Sequence, residues 1–229
     1  MTASSSVNEC EPRSEDLRLA FTFIGDPQKR ADVLAIHALL ETLRDIPGRV
    51  SEPMLGEIRM RWWYEAIEEI RDGKTPRYHP LSEALQRIVG QYGLPADDFL
   101  ALIEGQMPLL DAGPLDVRTA LAIVDAGEGL AARLAARILD PAADPSALAD
   151  PARFSGLARL KRSGRLPEAG DAEGGHLYRD AAKAARTLPT SLMPLALPAA
   201  LAGDLWAGRV RGPLSRRLKL FWAFVTGRI

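Results

Sequence analysis

The sequence has few of the residues that disulfide scaffolds and metal sites require. Only one of its 229 residues is a cysteine, Cys10. A single cysteine excludes an intramolecular disulfide framework and a cysteine-based zinc site, and it is typical of a reducing compartment. The three histidines, His37, His79 and His176, lie far apart and show no ligand spacing such as HxxxH. Packing or surface roles are therefore favoured for all three.

Long apolar runs and a strong net charge are lacking as well. No apolar run reaches the ~20 residues that a membrane-spanning helix needs. Residues 1–15 are polar and acidic, without the basic start and apolar centre of a signal peptide. The net charge is −1, which gives no general electrostatic reason to expect nucleic acid as a partner. We therefore expect a cytoplasmic protein.

The charge that is present is unevenly distributed. The first 152 residues hold 15 Lys/Arg against 25 Asp/Glu, and the remainder holds 14 against 5. The two parts therefore carry −10 and +9. Such asymmetry indicates either a binding face or two halves that attract one another.

Apolar residues recur at helical spacing along most of the chain, and no segment alternates as a strand does. The pattern predicts a disordered tail over 1–15 and a single all-α domain over 16–229. Helices are expected near 16–23, 27–43, 52–71, 80–89, 94–103, 117–139, 154–166, 178–188 and 214–225. A loop is predicted at 140–151, a flexible acidic loop at 170–175, and a short, proline-limited helix within 189–198.

Two adjacent tryptophans distinguish the third predicted helix. Trp62 and Trp63 are about 100° apart around a helix, so they cannot share one direction. We expect at least one of them to pack in the core, while the other is free to line a cavity or meet a partner.

The segment that carries these tryptophans also carries a resemblance. Residues 51–63, SEPMLGEIRMRWW, resemble the corresponding segment of the squalene/phytoene synthase family, and in particular its bacterial phytoene-synthase-like branch. Further similar segments follow in the family's order: Pro27 and Arg30, 34–38, 79–81, 84–85, 102–105, and Gly129 with 134–139. The likeness covers about residues 16–140 and is weak over 151–229, where the C-terminal third looks shortened and divergent.

The resemblance implies an isoprenoid-synthase-like bundle of many helices around a central cavity. It also implies two aspartate-rich motifs of DxxxD type, facing each other and holding Mg²⁺ bound to a prenyl diphosphate. Carboxylates four residues apart share one helix face, and Mg²⁺ bridges oxygen ligands and substrate phosphates.

The first motif is only partly present. Glu41 and Asp45 have the i, i+4 spacing and are a candidate remnant acidic motif. The alternative is an exposed acidic pair on an otherwise buried helix. Arg44 and Gly48 stand where the resemblance implies aspartates. A literal DxxxD at 140–144 lies in a proline-rich loop and is better explained by turn formation.

The window of the second motif follows Gly156 and contains no acid. Its charged residues are all basic and are candidate ligands of a diphosphate or a phospholipid headgroup: Arg159, Lys161, Arg162 and Arg165. The alternative is a solvated basic helix face.

Three functions follow from these patterns. The preferred one is a degenerate, non-catalytic protein that binds an isoprenoid or lipid or acts in assembly, similar to the complex I assembly factors of this family, with no cofactor. The second is an active head-to-head prenyltransferase that uses Mg²⁺ and the carboxylates of Glu41, Asp45, Glu104 and Asp125. The third places the basic C-terminal region at a membrane surface or protein partner, which would make the protein a peripheral membrane protein. Its last predicted helix is basic and amphipathic, with apolar residues Leu214, Leu218, Phe221, Trp222 and Val225 and basic residues Arg216, Arg217, Lys219 and Arg228.

Overall fold

The computed structural model describes residues 9–50, 52–166 and 171–229, without the side chains of 171–173. Over these residues the structure is helical and has no β-strand. The α-helices in chain order are α1 (Glu15–Phe21), α2 (Pro27–Asp45), α3 (Pro53–Arg71), α4 (Pro80–Tyr92), α5 (Ala96–Glu104), α6 (Val117–Val124), α7 (Leu130–Leu139), α8 (Ala149–Arg162), α9 (Asp171–Ala185), α10 (Met193–Trp206) and α11 (Pro213–Thr226). Short 3₁₀ turns lie at Pro47–Arg49, Met107–Leu110 and Ser146–Leu148.

Local sequence explains where several helices begin. The Ser14 hydroxyl accepts the Leu17 N–H at the start of α1, and one Asp26 carboxylate oxygen accepts the N–H groups of Gln28 and Lys29 at the start of α2. These bonds satisfy N–H groups that have no partner within the helix. α2, α3, α4 and α11 each begin at a proline, whose missing N–H costs nothing in the first turn.

The long helix predicted at 117–139 exists, but it is interrupted. A π-helical turn, Asp125–Gly129, separates α6 from α7. A Cβ on Gly127 would lie 2.9 Å from both Arg44 Nη2 and Gln106 Nε2. The glycine therefore allows side chains from other elements to approach this turn closely.

The predicted loop at 140–151 ends earlier than expected, because α8 begins at Ala149 and holds Pro151 within its first turn, where proline is tolerated.

The flexible loop predicted at 170–175 is wrong from Asp171 onward, since those residues open α9; Gly170 lies outside the described residues. A Cβ on Gly174 would lie well inside van der Waals contact of the Trp206 indole. Close helix packing, and not chain flexibility, therefore explains this glycine.

The helix predicted to stop within 189–198 instead continues to Trp206 and passes through Pro198. Most of α10 is buried, including Ala196, Leu197 and Ala199, which have no exposed surface. It packs against α1, α8, α9 and α11. This burial on several sides compensates for the lost hydrogen bond of an internal proline, whose cost is ~3 kcal/mol.

The tryptophans on α3 have different environments. Trp63 is 6% exposed and lies in the core, whereas Trp62 is half-buried. Their rings meet edge to face at 4.9 Å, and Trp63 also meets the His79 ring at 5.0 Å. The segment therefore serves as a packing element between α3 and the start of α4. Among the described helices, none combines the length and the apolar content needed to cross a bilayer.

Candidate functional site

Four polar side chains meet in the interior between α2, the end of α5, the π-turn and α8. Arg44 on α2 forms an ion pair with Glu128 in the π-turn, and Arg159 Nε on α8 lies 3.2 Å from the other Glu128 oxygen. Arg44 Nε also donates to Gln106 Oε1 at 3.4 Å. The fully buried Gln106 side chain donates a hydrogen bond from its amide Nε2 to the Ile123 carbonyl at 3.1 Å. We call these four residues the interior cluster.

Glycines allow the interior cluster to form. A Cβ on Gly156 would lie 2.5 Å from Val124 Cγ1 and 2.8 Å from Glu128 Cδ. Because Gly156 has no Cβ, α8 can approach the π-turn closely. Arg159 lies almost one turn further along α8 and therefore reaches Glu128. The π-turn itself is a type of helix irregularity that is frequent at functional sites.

The interior cluster contains two cations for one anion. The side chains of Arg44 and Glu128 are only 11% and 13% exposed, and that of Arg159 is 34% exposed. Burial opposes ionisation of Glu128, but Arg44 and Arg159 together hold the pKa of its carboxyl below the ordinary value. Burial and the neighbouring Arg159 lower the pKa of Arg44, yet a guanidinium stays protonated at neutral pH. Burial, with a contribution from Arg44, also lowers the pKa of His37 to about 4, so this imidazole is neutral.

These residues do not fit a magnesium–diphosphate clamp. Mg²⁺ requires several oxygen ligands in octahedral geometry, and the only carboxylate of the interior cluster is already bound by two guanidinium groups. In the described ranges, no group of three or more His, Cys, Asp or Glu side chains is placed to hold a metal ion.

The structure brings the candidate pair Glu41 and Asp45 together on one face of α2. Glu41 is half-buried and accepts the Arg13 N–H at 2.6 Å and the Ser14 N–H at 3.3 Å. The Arg13 guanidinium contacts the Asp45 carboxylate, and Arg49 lies 3.3 Å from it. The pair is therefore neither freely exposed nor open to a metal ion, because the N-terminal segment binds it. Residues 1–8 of the predicted tail lie outside the described residues, while Arg13 and Ser14 are bound to α2.

The four basic candidates are not brought together. Arg159 belongs to the interior cluster, and Arg165 donates to the carbonyls of Leu109 and Asp111 at 3.3 and 2.5 Å. The Lys161 ammonium lies 4.5 Å from the centre of the Trp206 ring. Arg162 is exposed beside a hollow near α11. The structure therefore contains no shared phosphate site formed by all four.

The other carboxylates of the active-enzyme hypothesis are also apart from the pair on α2. Asp125 makes a bidentate ion pair with Arg153, at 2.7 and 3.0 Å, and is 42% exposed. Burial, and then the nearby carboxylate of Glu104, raise the pKa of Tyr64 on α3. The expected convergence of these acids with Glu41 and Asp45 is not found among the described residues.

Sequence reasoning missed Glu128, Gln106 and Arg13. Glu128 had a detectable signal, because it stands between Gly127 and Gly129 inside an otherwise Ala- and Leu-rich helix. A charged residue in such a run requires a partner once it is buried. Nothing local in the sequence identifies that partner.

The chain is similar to known proteins in sequence and in fold. The model of the squalene/phytoene synthase family matches residues 11–160. A crystal structure of a dehydrosqualene synthase in complex with a ligand is similar with a TM-score of 0.71, covering 97% of this chain and 96% of that chain at 15% sequence identity. At this identity the structural likeness establishes the fold. No curated protein sequence matches this chain.

Proposed function

The chain belongs to the squalene/phytoene synthase family and has its all-α isoprenoid-synthase fold, and from that premise we propose that it is a degenerate, non-catalytic member. In this proposal the scaffold binds an isoprenoid or lipid, or supports assembly of another complex, without joining two prenyl diphosphates.

The interior cluster carries the proposal. The family resemblance implies aspartates at the position of Arg44 and in the helix of Arg159, with metal ions between them. Here two guanidinium groups face one another across Glu128. Guanidinium groups repel a divalent cation and supply no oxygen ligand. In the arrangement that the resemblance implies, the ion pairs would stand where metal ions neutralise the charge of the leaving diphosphate.

The cluster retains a means of binding phosphate without metal. Arg159 Nη2 has no hydrogen-bond partner in the part of the chain that the structure describes, and the cluster has one more cation than anions. Guanidinium groups bind phosphate oxygens in paired hydrogen bonds. A phosphorylated isoprenoid is therefore a suitable ligand, with Arg159 as the residue that holds its phosphate.

The active prenyltransferase is the second candidate, and the intact i, i+4 pair on α2 favours it. Glu41 and Asp45 have the spacing that a metal clamp requires. For catalysis, Arg13 would have to leave this pair, and further acids would have to approach it. The guanidinium contact with Asp45 therefore supports the non-catalytic proposal.

A turnover assay distinguishes the two candidates. The purified protein is incubated with farnesyl or geranylgeranyl diphosphate and Mg²⁺, and released diphosphate and condensed hydrocarbon are measured. We expect neither product. Turnover that disappears in the double variant Glu41→Gln with Asp45→Asn, and persists in the exposed control Glu57→Gln, would establish the active enzyme and overturn the proposal.

A binding assay provides the positive test. Binding of geranylgeranyl diphosphate to the protein in EDTA is measured by calorimetry. We expect binding that does not require Mg²⁺ and that weakens about tenfold or more in Arg159→Gln, since a charged hydrogen bond contributes ~1.5–3 kcal/mol. Binding that appears only with Mg²⁺ would contradict the metal-free mode.

A further inference from the structure

The C-terminal helix α11 exposes a continuous apolar face. Five large apolar side chains are between 51% and 80% exposed: Leu214, Leu218, Phe221, Trp222 and Val225. At about 100° per residue they fall within an arc of about 100°, so they form one strip along the helix. We call this strip the outer face. Exposed apolar strips of this kind mark interaction sites.

The opposite side of α11 is firmly packed, which fixes the direction of the outer face. Leu220 and Ala223 are 1% and 3% exposed. The Phe224 ring stacks on Phe23 with centroids 4.7 Å apart. Arg216 bonds Asp16 and Glu15 on α1, both at 2.7 Å. The outer face therefore points away from the bundle because the helix has a fixed attachment.

The surroundings of the outer face are strongly basic. The sequence from 205 to 229 contains no acid and six basic residues: Arg209, Arg211, Arg216, Arg217, Lys219 and Arg228. Three of them, Arg209, Arg211 and Lys219, share the single carboxylate of Asp204, at 3.4, 2.5 and 2.9 Å. Arg217 and Arg228 have no ion pair within the described residues, and Arg217 lies beside the outer face on the helix. The excess positive charge suits an anionic partner.

A basic hollow lies at the N-terminal end of α11. Its volume is about 180 Å³, and its charged lining residues are four arginines and two aspartates: Arg162, Arg209, Arg211, Arg216, Asp16 and Asp204. Arg162 is exposed and has no ion pair among the described residues. Val210, which also lines the hollow, is 82% exposed. Cations and exposed apolar groups therefore lie side by side, as they do where a helix meets lipid headgroups and acyl chains.

We propose that the outer face of α11 docks on the surface of an anionic lipid bilayer, with Arg217 and Arg228 directed at the phospholipid headgroups. The helix lies in the plane of the interface with its apolar face, including Phe221, at the boundary of headgroups and acyl chains. The amphipathic indole of Trp222 is favoured at the level of the headgroups. This inference does not depend on whether the interior cluster is catalytic.

Charge complementarity selects the bilayer over a second copy of the chain. A twofold interface places the same surface on both sides. Two outer faces with their arginines would then oppose like charges, which is unfavourable. An anionic membrane neutralises the same charges, and each Lys or Arg near its surface gains affinity.

Vesicle sedimentation tests the proposal. The protein is mixed at low salt with vesicles of phosphatidylcholine alone or of phosphatidylcholine with phosphatidylserine. We expect binding to the anionic vesicles that weakens as salt is raised. The double variant Phe221→Ser with Trp222→Ser should lose at least tenfold in affinity. Arg217→Gln with Arg228→Gln should lose roughly fivefold for each arginine.

A matched control replaces two apolar side chains of similar exposure on another helix. Met54 and Ile58 on α3 are 61% and 59% exposed, and Met54→Ser with Ile58→Ser should bind vesicles as the wild type does. Circular dichroism confirms that each variant is folded. The proposal is overturned if the wild type does not bind anionic vesicles, binds neutral vesicles equally well, or loses binding equally in the α3 control. A wild-type dimer that Phe221→Ser with Trp222→Ser converts to monomer would assign the outer face to a second copy.

Discussion

Glu128 is the residue on which the interior cluster depends, because its carboxylate is shared by Arg44 and Arg159. Buried ion pairs stabilise weakly overall, since desolvation opposes the attraction, but removal of one partner leaves the other charge buried and unpaired. The effect of a substitution here is therefore larger than the net contribution of the pair.

The neutral variant Glu128→Gln should lower the free energy of unfolding by about 3 kcal/mol, near the lower end of the range for buried pairs because Arg159 is partly exposed. Urea denaturation measures the loss, with the exposed Glu57→Gln as the control. The triple variant Arg44→Met, Glu128→Leu and Arg159→Met should unfold at a urea concentration equal to or above that of the wild type. A wild-type midpoint for Glu128→Gln would show that the carboxylate does not hold the two arginines.

Asp204 gives a pH dependence of stability. Its side chain is 6% exposed. Burial opposes its charge, but hydrogen bonds from Arg211 and Lys219 lower the pKa of its carboxyl to about 2. An unfolded aspartate has a pKa of about 3.9. Since the folded pKa is the lower one, the stabilisation is fully present above pH ~4 and is lost as the pH falls towards ~2.

We expect Asp204→Asn to be less stable than the wild type by about 2 kcal/mol at neutral pH, a value reduced for the partial exposure of the cations. The difference should shrink between pH ~4 and ~2, as measured by urea denaturation at several pH values. Asp97→Asn, at a carboxylate that is 79% exposed, is the control. A difference that stays constant down to pH ~2 would show that the ionised carboxylate is not what stabilises the fold.

At the level of helices, the predictions that rest on a local apolar pattern are correct, and those that depend on contacts with distant helices are wrong. Helical periodicity identified α2, α3 and α4 within a few residues of their ends, because an apolar stripe is a local property of the chain. The Gly-Gly pair at 174–175 instead indicated a loop. Its meaning depends on Trp206, which reaches Gly174 from another helix, and no local pattern contains that contact.

The two neighbouring glycines of α9 form a matched test. A Cβ on Gly174 would clash with the Trp206 indole, whereas on Gly175 it would meet only the end of Arg179 at 3.7 Å. Gly175→Ala should stabilise the protein by up to about 1 kcal/mol through helix propensity. Gly174→Ala should destabilise it by about 1–3 kcal/mol through overpacking. Thermal unfolding should show a higher Tm for Gly175→Ala and a lower Tm for Gly174→Ala than for the wild type. A stabilised Gly174→Ala would contradict the close approach of α9 to Trp206.

At the scale of the whole molecule, the charge asymmetry predicted from the sequence acts partly within the fold. Basic residues of the C-terminal part bind acids of the first part at three places, through Arg216 to α1, Arg159 to Glu128 and Arg153 to Asp125. The two parts thus attract each other, as one of the two interpretations held. The excess around α11 remains available for an external partner.

The whole protein should not respond to the ligand pair that active members require. If Mg²⁺ and pyrophosphate bound at a hundred times their Kd, they would stabilise the fold by about 2.7 kcal/mol. For a domain of this size that corresponds to a rise in Tm of roughly 5–10 °C. We expect Mg²⁺ to add no stabilisation to that of pyrophosphate alone in EDTA, as measured by differential scanning calorimetry. An Mg²⁺-dependent rise of several degrees would contradict the non-catalytic proposal.

The sequence by itself determined the all-α class, most helix positions, the family and the acid-free second window at Arg159. The class and the helix positions follow from local periodicity, whereas the family and the place of the second window follow from the resemblance carried by residues 51–63 and the segments around them. Only the tertiary structure decided that Arg44 meets Glu128 and Arg159, that Arg13 binds Glu41 and Asp45, and that the strip from Leu214 to Val225 faces outward. A helical pattern indicates which residues share one face of a helix. The element against which that face packs depends on how distant helices come together.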